Sequence, residues 1–205
     1  MKLPTYEIAL PNGYTQIKYL NAKEKKTGLV LTVVSFVIMA AVLLVAIIPL
    51  KAMGFSMTDS IRELGPVGLL ILYALLMVSL LAYIVLHELV HGAVYKLLTK
   101  QKLTFGISWS CAFCGVPSVW VYRKTALLAV AAPLTLFSVI LIPLSVLLFF
   151  FNPLYYLASI PILGLHLGGC CGDLYVILLL TFRYKDPRTL MRDTGPEQFF
   201  YLPQA

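Results

Sequence analysis

Four long apolar runs dominate the chain and decide which solvent it can fold in. They cover Leu29–Leu50, Pro66–Leu98, Thr125–Phe151 and 153–182, and each exceeds the roughly 20 helical residues that cross a bilayer. Pro66 sits where a helix N-terminus tolerates proline, and Pro133 and Pro143 lie inside the third run. The rest of the chain cannot compensate for so much apolar surface. Of 205 residues, 60% are hydrophobic and 12% charged, against about half and a quarter in a soluble domain. The expectation is an all-α integral membrane protein: a four-span helical bundle forming one domain, residues 1–205.

Charge placement sets an orientation. The formal net charge is +7, but the Lys and Arg cluster between the runs, where they act as topology signals rather than as a nucleic-acid face. Residues 1–28 carry Lys2, Lys18, Lys23, Lys25 and Lys26 against Glu7 and Glu24, a net of +3. The loop after the first run balances Lys51 and Arg62 against Asp59 and Glu63. The loop after the second has Lys100, Lys102, Arg123 and Lys124 and no acid, and the tail 183–205 nets +1. The positive-inside rule therefore puts both termini and the middle loop in the cytoplasm. The N-terminal segment has no apolar core and no small-residue cleavage site, so it does not read as a signal peptide. Four cysteines in such a chain do not make a disulfide scaffold.

The middle loop, 102–122, alternates Leu103, Phe105, Ile107 and Trp109 with small or polar residues, then reads CAFCGVP, then VWVY. This predicts one small β-hairpin turning at Gly115–Pro117, with Trp109, Trp120 and Tyr122 at the membrane interface. The N-terminal TYEIALPNGYTQIKYL reads as a short strand or an extended lead-in. The tail reads as part solvated, part interfacial, with Asp193 and Glu197 facing solvent.

Within the second run, YIVLHELVHGAVY carries His87, Glu88 and His91. Histidines four apart lie on one helix face, one turn apart, and can share a metal ion. Glu88 adjoins the first and can act on a water without being a ligand. H-E-x-x-H is the zinc-peptidase arrangement: two neutral imidazoles hold Zn²⁺, the ion acidifies its water, and the glutamate moves the proton. From this composition the pattern arises by chance about once in a thousand such chains. Ionisable groups within a span cost about 2.5–3.5 kcal/mol each on insertion scales, and an inert polar cluster is the competing explanation.

A third protein ligand is needed, and the fourth run offers His166, Cys170, Cys171 and Asp173. The second and fourth runs go the same way through the bilayer. His87 and His91 lie 13 and 9 residues before Lys100, and Asp173 lies 10 before Arg183. At about 1.5 Å per residue all three share one depth, whereas His166 lies roughly 10 Å nearer the outside. Asp173 is therefore the expected ligand and His166 a hydrogen-bonded polar contact. Gly164, Gly168, Gly169 and Gly172 would let the fourth span approach the second or unwind near the metal. Cys170 and Cys171 read as buried thiols, and the single C-x-x-C of Cys111 and Cys114 is a weak signal.

HELVHG with GGCCGDLY, LPNGYTQI and RDTGPEQFFY resembles a bacterial family of membrane zincin peptidases and is more distantly similar to the site-2 proteases. The resemblance implies His87, His91 and Asp173 as zinc ligands and Glu88 as general acid/base. HLGGCCGD stands where site-2 proteases carry an Asn-Pro-Gly element, and no PDZ-like segment lies within these residues.

The reading is thus a multi-pass, cell-membrane zinc endopeptidase, bacterial by resemblance. It would act on a protein or peptide substrate, a transmembrane segment being one candidate. A non-catalytic metal-binding sensor or pseudo-protease is the alternative. A transporter is weaker, because outside this cluster the spans offer mainly Ser, Thr and Tyr.

Overall fold

A computed structural model describes residues 4–108 and 111–204. In chain order these form β1 (Tyr6–Glu7), β2 (Tyr14–Asn21), α1 (Lys25–Ala52), α2 (Met57–Thr99), β3 (Thr104–Ile107), β4 (Ala112–Gly115) and β5 (Trp120–Tyr122). Then follow α3 (Arg123–Phe151), α4 (Pro153–Gly169), α5 (Cys171–Leu178), a π-helical turn (Leu179–Arg183), β6 (Leu190–Asp193) and β7 (Glu197–Pro203). Among the described residues, four helical segments are long and apolar enough to cross a membrane: α1, α2, α3 and the stretch Pro153–Arg183. Only 6% of the most apolar window of each of the first three is buried, so Val33, Phe36, Leu44, Leu70, Val78 and Val139 face outward. Such a surface suits lipid and not water. α2 breaks at Gly65, whose φ of +67° suits glycine, and resumes at Pro66.

The all-α expectation is corrected. Strands from both chain ends and from the middle loop build a five-stranded antiparallel sheet in the order β1-β5-β6-β7-β2, beside a separate two-stranded sheet, β3-β4. The hairpin of the middle loop is only its first half. It turns at Ser108–Cys111, where the Ser108 N–H donates to the Cys111 carbonyl, and not at Gly115–Pro117. Trp120 and Tyr122 belong to β5 in the larger sheet, and the Arg192 guanidinium covers the Trp120 ring at 4.9 Å. Trp109 lies outside the described residues.

The chain divides into two compact units. The first comprises Met1–Thr32, Val85–Leu134 and Gly172–Ala205, and holds both sheets. Register explains its core. Val121 pairs with Met191 and Met191 with Phe200, so three fully buried apolar side chains cross the sheet in one row. They pack on Tyr95, on Ala126, Ala129 and Val130 of α3, and on Val176 and Leu180. The two alanines let helix and sheet approach closely, and each large apolar side chain so buried contributes about 1.5–3 kcal/mol. Arg123 Nε donates to the Leu180 carbonyl at 2.6 Å, satisfying an acceptor in the π-helical turn.

The second unit comprises Val33–Ile84 and Thr135–Cys171. Asn152 caps α4 by accepting from the Leu154 and Tyr155 N–H groups, with Pro153 opening the helix. Gly164 and Gly168 meet Met39 and Ser35 of α1, and Ser35 Oγ donates to the Gly168 carbonyl at 2.8 Å. These glycines therefore serve contact with the first span, where the sequence suggested the second. The fourth span is interrupted at Cys170, between α4 and α5.

Candidate metal centre

The centre lies wholly within the first unit. α2 puts His87 and His91 one turn apart on one face, ring centroids 4.9 Å apart. Asp173, in the first turn of α5, brings its carboxylate to both. Its Oδ2 lies 3.2 Å from His87 Nε2 and 3.4 Å from His91 Nε2. Both histidines are buried, and His87 and Asp173 offer donor atoms close enough to share one ion.

The donor set fits a cation. His91 Nδ1 lies 2.8 Å from the Ala129 carbonyl oxygen, which can only accept, so Nδ1 carries the proton. In the neutral ring Nε2 then presents a lone pair to the Asp173 oxygen. Two acceptors face each other at 3.4 Å, an arrangement that a shared cation resolves. The Ala129 bond is also the outer contact that fixes a metal-binding histidine's tautomer and ring plane. Two imidazoles and one carboxylate form a three-residue set of the catalytic-zinc kind, leaving a position for water or substrate.

Glu88 points to another neighbour. The backbone N–H of Cys114 in β4 is directed at its carboxylate. Register explains how. Gly106–Phe113 and Thr104–Gly115 alternate with Phe105–Cys114 and Ile107–Ala112. Because Ser108 and Cys111 form a bonded pair, the N–H and C=O groups of Ala112 and Cys114 turn away from β3. β4 thus shows the glutamate an unpaired edge. The ring of Phe105 and the Cys114 thiol close over Gly92, where a Cβ would lie 2.6 Å and 3.2 Å from them.

The remaining candidates have partners of their own. His166 is fully buried in the second unit, its Nδ1 2.8 Å from the Tyr83 hydroxyl and its Nε2 3.0 Å from the Ser138 hydroxyl. The Cys170 thiol lies 3.7 Å from His166 Nδ1, and that of Cys171 lies 3.1 Å from Ser35 Oγ. Cys111 and Cys114 are both free thiols three residues apart in extended chain, which directs them to opposite faces.

Asp193 is a correction. Far from facing solvent, it is 3% exposed, with Oδ2 accepting from the Tyr95 hydroxyl at 2.7 Å and Oδ1 from the Gly195 N–H at 2.9 Å. Burial pushes its carboxyl up to about 6, against the pull of those two donors. Glu197, half-buried, accepts from the Tyr19 hydroxyl at 2.6 Å. The alternation of LMRD and EQFFYLP, split by TGP, was the available signal for strands in the tail.

An H-E-x-x-H helix joined by an acidic residue from a distant helix is the residue pattern of the zincin class. The chain belongs to the family described as "Putative zincin peptidase", whose model matches residues 80–187, more than half of its length. No curated protein and no solved structure matches it.

Proposed function

We propose that the chain is a membrane-embedded zinc metalloendopeptidase that hydrolyses a peptide bond with Glu88 as general acid/base. The observation that carries this reading is the convergence of His87 Nε2 and His91 Nε2 on one oxygen of Asp173, at 3.2 and 3.4 Å. His87, His91 and Asp173 would hold the ion. Zinc, when bound, supplies Lewis acidity and lowers the pKa of water towards about 7.

The protein's own groups do the rest. Glu88, next to His87 in sequence but not among the converging atoms, accepts a proton from the attacking water and returns it to the leaving amine. The Ala129 carbonyl keeps His91 in one tautomer throughout. The outward N–H and C=O groups of β4 suit an extended substrate added as a further strand, which brings its backbone beside Glu88. The positive loops support a reading in which this end of the helices faces the cytoplasm, with both termini inside. A substrate with a transmembrane segment would reach the site by unwinding into extended form.

The test uses full-length protein in detergent or proteoliposomes. Glu88→Gln should lose cleavage by about 10²–10⁴-fold, the usual worth of a general acid/base, while keeping its zinc. Undiminished proteolysis by that variant would sink the mechanism.

A further inference from the structure

The C-terminal tail is tied to the centre through one residue. Asp193 ends β6 and makes three bonds in three directions. Its Oδ2 accepts from Tyr95, which lies on α2 one turn beyond His91. Its Oδ1 accepts from Gly195 and closes its own turn. Its main-chain oxygen accepts from the Val116 N–H at 2.8 Å, just past the end of β4.

The contact with β4 is backbone against backbone. A Cβ on Gly115 would collide with the peptide groups of Thr194 and Gly195, and one on Gly195 would enter the Phe113 ring. Gly195 has φ +105°, which other residues rarely adopt. β4 therefore sits directly on the 193–195 turn. Its opposite face carries the Cys114 thiol against Gly92, and its edge away from β3, the one from which Val116 also donates, carries the Cys114 N–H aimed at Glu88.

A packed sheet does not need an acid here; Met191, two residues earlier on the same strand, is buried as an apolar side chain. Burying a carboxylate is costly unless its oxygens are bonded, and these two oxygens take donors from two different elements. The carboxylate thus ties α2 to the tail turn, and the main-chain oxygen of the same residue ties that turn to the hairpin. Asp193 also lies beyond residues 80–187 that match the family model.

We infer that Asp193 is a positioning residue for the peptidase site: through Tyr95 and Val116 it holds the β3–β4 hairpin at the height where its open edge meets Glu88. The inference rests on the reading of that edge as the substrate's path. Asp193 touches neither substrate nor metal ligands. Its loss should therefore weaken substrate binding and leave the proton-transfer machinery in place.

The test compares the full-length wild type with Tyr95→Phe and Asp193→Asn. The first removes a single hydroxyl and keeps the chain's shape, so it remains informative if the second folds poorly. Three quantities are read: zinc per chain, the N-ethylmaleimide alkylation rate of Cys114 by peptide mass mapping, and kcat and KM on a membrane-peptide reporter. We expect unchanged zinc, alkylation of Cys114 about tenfold faster, and KM about tenfold higher with kcat within about threefold. Cys114 as protected as in the wild type in both variants would overturn the latch. So would a fall in kcat at constant KM, the mark of a merely structural residue, or a loss of zinc, which would place the action on the ligand helix. If the wild type cleaves nothing, the peptidase reading fails, and the alkylation rates alone decide whether the latch exists.

Discussion

His91 donates from Nδ1 to the carbonyl oxygen of Ala129 at 2.8 Å, and this bond decides what its other nitrogen can do. Nε2 is left facing Asp173, 3.4 Å away, with His87 Nε2 approaching the same oxygen. The three groups belong to two helices, with His91 and Asp173 82 positions apart, α2 running through both histidines and α5 beginning at Cys171, two residues before Asp173.

Asp173→Ala should therefore weaken zinc binding more than a hundredfold, beyond the 10–100-fold typical of an outer contact. Competition with a calibrated chelator measures this on the purified protein. Equal affinity in variant and wild type would remove Asp173 from the ligand set.

His166→Ala is predicted to behave differently. Both ring nitrogens are engaged by Tyr83 and Ser138, so zinc content should stay at the wild-type level. Deleting a fully buried ring with two hydroxyl partners should instead destabilise the fold by about 2–4 kcal/mol. Unfolding in detergent and elemental analysis of the same sample check both halves.

Cys114 should be inert. Burial pushes its thiol up to about 12, so almost none is thiolate at neutral pH, whereas Cys111 is only partly covered. Mass mapping after brief alkylation at pH 7.5 should find Cys111 modified first. Preferential labelling of Cys114 in the native protein would contradict this placement of β4.

Asp193 gives a pH dependence of definite sign. Its carboxyl is raised to about 6, from about 3.9 in an unfolded chain, so between these values the folded form binds the extra proton. Its contribution to stability is complete only below the unfolded value of about 3.9, declines as pH rises towards about 6, then stays flat. Asp193→Asn should abolish that component, seen as a smaller drop in unfolding temperature between pH 4.5 and 7. An identical drop in variant and wild type would mean that the carboxyl is not buried as described.

The helices and the grouping of His87, His91 and Asp173 were readable from sequence for a local reason. Apolar runs report spans directly, and H-E-x-x-H needs only one helix face. Counting from Lys100 and Arg183 brought Asp173 level with the histidines because α2 is helical from His87 to Thr99, and α5 and the π-helical turn continue as helix from Asp173 to Arg183. The five-stranded sheet had no such signature. β1 and β5 are two and three residues long, too short for any period, and β2 pairs with β7, so Tyr14 meets Pro203 across nearly the whole chain. Asp193 looked like a surface acid because its partner, Tyr95, is 98 residues away. Glycines told of close packing without naming the partner: Gly168 meets α1, and Gly115 meets the tail.

The central claim, that Glu88 drives peptide hydrolysis at this centre, is tested most directly by comparing membrane proteomes of cells carrying the wild type or Glu88→Gln at equal zinc loading. Intact membrane proteins should accumulate with the variant, and matching fragments should appear only with the wild type. Indistinguishable proteomes, with both proteins folded and zinc-bound, would contradict it.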